Sequence, residues 1–216
     1  MTSNGVDRLS ARLRSATRAE HDETSSAPFV TALLDGQLDR GAYAALLGQS
    51  YFFYQVLEEA GEHWRADPVA GPFVLDALAR CAALEADLDW LDPGWRADRT
   101  PLPATERYVE RLREVCFTAR HLFVAHHYAR YLGDLSGGQI VRRRLHAIFG
   151  LTDVGVRFYL FDDIERVKPF KDAYRRLLDE APWGEAEHAA MVAEVKEAFR
   201  LNRDIFAELG ATAGVA

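Results

Sequence analysis

Thiols are nearly absent from this 216-residue chain: Cys81 and Cys116 are the only two. They form no CxxC pair and have no ligand-like spacing, which excludes a disulfide framework and a cysteine-built zinc site. Lysine is almost as scarce, with Lys168, Lys171 and Lys196 the only three among 26 basic residues. That usage points to a GC-rich bacterial genome and decides no chemistry. No Gly-Lys pair occurs, so the G-x-x-x-x-G-K-[ST] loop that cradles nucleotide phosphates is excluded. No run of about eighteen apolar residues exists, so no membrane span is expected. The opening MTSNGVDRLS lacks the apolar centre of a secretory signal, and a reducing cytoplasm is the expected compartment. A net charge of −7 argues against a nucleic-acid partner held by bulk electrostatics. Neither period-2 strands nor fixed-length repeats recur.

What is present is helix. The chain is 49% hydrophobic and 27% charged, ordinary for a globular protein, and long enough for one domain with a full core. Leu9, Leu13 and Ala16, with Arg12, Arg14 and Arg18 opposite, predict an amphipathic helix to about Glu23 that carries His21 and stops before Pro28. A brief segment, Phe29 to Leu34, precedes a helix from about Asp39 to Trp64. Pro72 opens a third helix over Phe73 to Trp90, and a fourth is expected from Ala104 to Arg120. A glycine-bearing fifth helix follows to Phe149. Phe158 to Phe161 reads as either extended or helical. Helices at Lys168 to Glu180 and Glu185 to Leu209 close an all-α single domain packed around a ligand rather than as a simple four-helix bundle. Residues 1–7 and 210–216 are expected to be loose ends.

The fifth helix holds the most informative stretch, YARYLGDLSGGQ, Tyr128 to Gln139. Gly133, Gly137 and Gly138 each cost about 1 kcal/mol relative to alanine inside a helix, so some function offsets roughly 3 kcal/mol within six residues. Gly133 and Gly137 share a face, with Asp134 and Gly138 on the adjacent stripe, and Arg130 lies one turn before Asp134. Three readings fit. Small residues permit close helix–helix packing. LSGGQ matches the signature of ABC-type ATPases, which fails for want of a phosphate loop. The third is a planar cofactor lying on the bare face.

Tyr128, Arg130, Gly133, Asp134, Gly137, Gly138 and Gln139, in register, closely resemble the distal helix of the heme oxygenases. The segment Leu9, Leu13, Ala16, Thr17 and His21, followed by Phe29, resembles that family's N-terminal region, in which such a histidine is the axial iron ligand. The resemblance runs over nearly the whole chain. It implies a helical fold in which haem is sandwiched between a proximal helix and a kinked, glycine-rich distal helix. His21 would be the iron ligand, a role that suits neutral imidazole. Tyr54, Arg130, Gly133 and Asp134 would form the catalytic side, with Asp134 delivering protons through ordered water. Arg14, Tyr128, Lys171, Tyr174 and Arg175 would hold the haem propionates, and Phe199 and Asn202 would belong to the pocket wall. At the position where the family commonly has a glutamate paired with the ligand's second ring nitrogen, this chain has Ser25, a weaker acceptor.

The activity implied is O2- and electron-dependent opening of haem, both substrate and cofactor. It would proceed through a ferric hydroperoxide and meso-hydroxylation to biliverdin, carbon monoxide and ferrous iron. The electrons would come from a reductase, ferredoxin or flavodoxin-type protein, for which Arg142, Arg143 and Arg144 offer either a basic patch or an ordinary charged face. Two rivals remain: a haem carrier without turnover, and a di-iron carboxylate oxygenase. The second needs two Glu-x-x-His motifs, and Glu185 with His188 is a single match.

Overall fold

The computed structural model describes residues 8–215; the expected loose segment 1–7 and residue 216 lie outside the described residues. Ten α-helices and three single 3-10 turns form the regular structure, with no strand among the described residues. Four long helices make the frame: α4 (Arg40–Trp64), α7 (Pro103–Cys116), α8 (Arg120–Phe149) and α10 (Glu185–Ala213) all pack against one another. Phe53 and Leu57 of α4, Tyr108 and Leu112 of α7, Phe123 of α8 and Leu201 of α10 are all buried in the core between them. Each such side chain contributes about 1.5–3 kcal/mol through removal from water. Buried charge ties the same frame together. Glu194 accepts from His126 Nε2 at 2.9 Å and from Arg111 at 2.9 and 2.6 Å, which joins α10 to α8 and α7.

The short helices α1 (Leu9–Ala16), α2 (Arg18–Ser25) and α3 (Pro28–Leu34) lie along α10, α1 also touching α9 (Val167–Glu180). The single N-terminal helix expected to Glu23 is therefore two. Thr17 separates them, its hydroxyl donating to the Leu13 carbonyl at 2.7 Å with φ −111° and ψ 12°. Back-bonding of this kind bends a helix, and it lets α2 turn His21 away from the α1 axis.

The expected helix over Phe73 to Trp90 is also absent in that form. Gly71–Phe73 and Asp76–Leu78 are 3-10 turns, and α5 begins only at Cys81, ending at Leu91. The reason is tertiary. Glu58 of α4 accepts from the backbone N–H groups of Arg80 and Cys81, at 2.5 and 3.0 Å, and so caps α5 from a neighbouring helix. A short α6 (Trp95–Asp98) follows, and α7 stops at Cys116 rather than Arg120, which opens α8. Phe158 lies in a 3-10 turn, Arg157–Tyr159. At the other end, α10 continues past Leu209 to Ala213. There Gly214 takes a left-handed φ of 74° and the Val215 N–H returns to the Gly210 carbonyl at 2.9 Å.

α8 stays helical through all three glycines. Within that stretch Ser136 Oγ donates to the Leu132 carbonyl at 2.6 Å, a back-bond that favours bending at this point.

Candidate active site

Two adjoining cavities, about 470 and about 400 Å³, lie between α2, α8 and α10. Both are lined by His21, Ala129, Gly133 and Phe199, so they form one slot with an inner and an outer part. Each volume is in the range of about 300–1,000 Å³ usual for small-molecule sites.

The α8 wall is bare. A Cβ added at Gly133 or Gly137 would meet nothing within 4 Å, so these two glycines face open space, not a packed helix. Gly138 differs: its Cβ would lie 2.9 Å from the Tyr159 ring, so here the glycine admits a neighbouring side chain. Gln139 secures that neighbour, Nε2 donating to the Tyr159 carbonyl at 2.9 Å. Close packing and the open face, alternatives from spacing alone, therefore divide the three glycines between them.

Beside the bare face lies a hydrogen-bonded cluster drawn from three helices. Tyr54 of α4 donates from its hydroxyl to Asp134, and Arg130 Nε donates to the same hydroxyl at 3.4 Å. Arg130 Nη1 donates to Asn202 Oδ1 of α10 at 2.8 Å, and Nη2 stands 4.0 Å from Asp134. The guanidinium also stacks over Phe53, 4.7 Å from the ring centre. Asn202 thus acts as an anchor for Arg130 as well as a wall residue. Burial raises the Asp134 carboxyl above its ordinary value against the opposing pull of Arg130, and burial holds Tyr54 protonated. Asp134 lines the inner cavity, whereas Tyr54, fully buried, stands behind it.

His21 faces the slot from α2. Its ring sits edge-on to Phe199, with centres 5.8 Å apart and planes at 86°. Ser25 makes no hydrogen bond to the ring; its hydroxyl donates to the His21 carbonyl at 2.8 Å. Arg14, Tyr128 and Arg175 line the outer part as the resemblance implies, and Lys171 reaches it through Ser136, Nζ donating to Oγ at 3.0 Å. Tyr174 does not join them. It is 1% exposed, with its hydroxyl 2.7 Å from His127 Nδ1 in the core. Helical spacing along α9 turns Tyr174 inward with Leu178, while Lys171 and Arg175, four apart, stay at the rim.

Arg18, which also lines the outer part, was not singled out as a site residue, although it lies one turn after Arg14 in the sequence. Ser136 stands within the LSGGQ stretch but was not singled out, and Phe158, Tyr159 and Phe206 lacked a local signal, since they reach the slot only through the packing of the Arg157–Tyr159 turn and α10. The arginine patch is largely paired. Arg142 lies 3.5 Å from Asp153, and Arg144 donates to the Leu34 carbonyl at 2.9 Å beside Asp35. Glu185 and His188 sit 3.6 Å apart, and no group of three or more metal-ligating side chains occurs among the described residues, which removes support for a di-iron site. No helix among the described residues is long and apolar enough to cross a membrane.

The residues fit a haem group. The glycine face leaves a slot for a flat ring, an imidazole faces the same cavity, and cationic side chains stand at the mouth for two carboxylates. Comparison with known proteins agrees. The heme oxygenase family model matches residues 7–208. The chain is 36% identical over 202 residues to heme oxygenase 1 of Synechocystis, covering 93% of this chain and 84% of that one, and 37% identical to human heme oxygenase 1, covering 93% and 71%. Among solved structures, the Synechocystis heme oxygenase-1 complex with heme superposes with a TM-score of 0.91 at 35% identity, covering 95% of this chain and 94% of that one. The heme oxygenase of Leptospira interrogans gives 0.88 at 36%, covering 93% and 99%. The chain belongs to the heme oxygenase family.

Proposed function

We propose that this heme oxygenase binds haem in the slot between His21 and the Gly133–Gly137 face and carries out its oxidative opening there. The supporting observation is the shared cavity: a histidine, a side-chain-free helix face and a partly buried carboxyl, raised above its ordinary value by desolvation, all line it. When bound, haem supplies the redox iron that activates O2 and the porphyrin carbon that is attacked, giving biliverdin, carbon monoxide and ferrous iron.

The chain supplies placement and protons. His21 would hold the iron through a ring nitrogen, a role that suits a neutral imidazole. Arg14, Lys171 and Arg175, with Tyr128, receive the carboxylates and set the rotation of the ring. Gly133 and Gly137 leave open space along the slot wall that any side chain would fill. Asp134 holds a proton more readily than an exposed aspartate. Tyr54 donates to it, and Arg130, anchored on Asn202, keeps it in place. The electrons come from a reductase, ferredoxin or flavodoxin-type protein, and the working compartment is the cytoplasm, one domain sufficing for the chemistry.

The test is spectroscopic. Reconstituted with haem, a reductant and O2, the protein is expected to lose its Soret band and yield biliverdin. A Soret band that persists through those additions would make it a haem carrier.

A further inference from the structure

We propose that Asp22 is the anionic partner of the His21 imidazole. The inference rests on the reading of His21 as the iron-holding side chain and deepens it. Ser25, one turn after His21, has its hydroxyl directed to the His21 backbone carbonyl at 2.8 Å. The ring is served instead by the next residue. Asp22 Oδ1 lies 3.2 Å from His21 Nδ1, and Asp22 Oδ2 lies 3.9 Å from Arg18 Nε on the preceding turn. All three residues line the outer cavity. Phe199, edge-on to the imidazole, restrains its rotation from the other side.

The chemical consequence concerns the tautomer. A carboxylate accepts only, so Nδ1 carries the hydrogen and donates, which leaves the Nε2 lone pair free. That is the form needed to coordinate iron, and it is set before any ligand arrives. A carboxylate partner also makes the imidazole a stronger donor, which favours ferric over ferrous iron. Asp22 is thus a positioning residue acting through His21.

The experiment compares Asp22→Ala, Ser25→Ala and Asp22→Ala/Ser25→Glu with wild type at one mildly alkaline pH. In the apoprotein, 15N NMR of His21 is expected to show the Nδ1–H tautomer in wild type and in Ser25→Ala, and its loss in Asp22→Ala. With Fe(III) protoporphyrin IX added, Asp22→Ala is expected to bind roughly 10-fold more weakly, the low end of second-sphere effects on metal affinity. If the ferrous form loses nothing, the reduction potential rises by about 59 mV. The ferrous iron–imidazole stretch shifts down, and Ser25→Glu restores it in the double variant. An Asp22→Ala protein with the wild-type tautomer, potential and stretch would overturn the proposal, as would Ser25→Ala shifting them equally. A His21→Ala control separates the two readings: an unchanged Soret band and spin state there would overturn the ligand assignment itself.

Discussion

On the α8 side of the slot, the polar groups are drawn from three long helices and locked among themselves: Tyr54 from α4, Arg130 and Asp134 from α8, Asn202 from α10. On the α1–α2 side, the histidine stands on an eight-residue helix with its side chain 56% exposed. That helix is held by surface ion pairs, Glu23 with Arg203 and Glu20 with Lys196. The contrast separates two tasks on the proposed reading. The wall assigned to proton delivery is preorganised in low dielectric, where charge placement carries most weight. The wall assigned to the ligand is thin and half-exposed, with few buried ties to resist displacement.

Breaking the locked wall should therefore cost chemistry first. Asp134→Ala is expected to keep haem affinity while biliverdin formation falls by roughly 10²–10⁴-fold, the usual reach of a positioned acid or base. A wild-type biliverdin yield in a reductase-coupled assay would remove Asp134 from that role. Next in size is the support beneath it. Glu194→Ala leaves Arg111 and His126 without their buried partner and is expected to cost about 3–5 kcal/mol in a urea unfolding curve.

The pH dependence of stability follows from the same groups. Burial would raise Glu194, but the His126 and Arg111 hydrogen bonds outweigh it and hold the carboxyl at about 2. Its folded value lies below its unfolded one, so its contribution is full above about pH 4.5 and disappears as pH falls toward 2. His127 is lowered by burial to about 3, so its neutral form favours folding above about pH 6.5, and that advantage also fades on acidification. Acid unfolding monitored by circular dichroism should begin earlier in wild type than in a His127→Gln variant that keeps the fold.

Within α8 itself the glycines differ from one position to the next. Gly133→Ala is expected to stabilise the apoprotein by about 0.5–1 kcal/mol, since its new methyl meets nothing. Gly138→Ala should destabilise it by about 1–3 kcal/mol because Tyr159 must move. Equal melting temperatures for the two would erase the distinction. Smallest of all is the exposed tie on the thin wall: Arg203→Ala is expected to shift stability by only about 0–1 kcal/mol.

Much of the site was legible in the sequence because α8 carries it locally. Arg130, Gly133, Asp134 and Gly137 are fixed relative to one another by helical geometry alone, and the chain order of the long helices followed from their periodicity. Most of what was hidden is tertiary. Glu58 caps α5 from another helix, and Gly138 is small because of Tyr159, twenty-one residues away; the break at Thr17 is local, its hydroxyl donating to the Leu13 carbonyl, and no spacing pattern marks it. Tyr174 was grouped with Lys171 and Arg175 on the family resemblance, and its position on α9 sends it to His127 instead.

The central claim is that a flat tetrapyrrole lies against the open face of α8, and Gly137→Leu tests it most directly. The account predicts an apoprotein at least as stable as wild type, since the site is open and leucine favours helix. Haem titration of that protein should show affinity reduced by roughly 100-fold, about 2.8 kcal/mol. A stable Gly137→Leu protein that binds haem as tightly as wild type would contradict it.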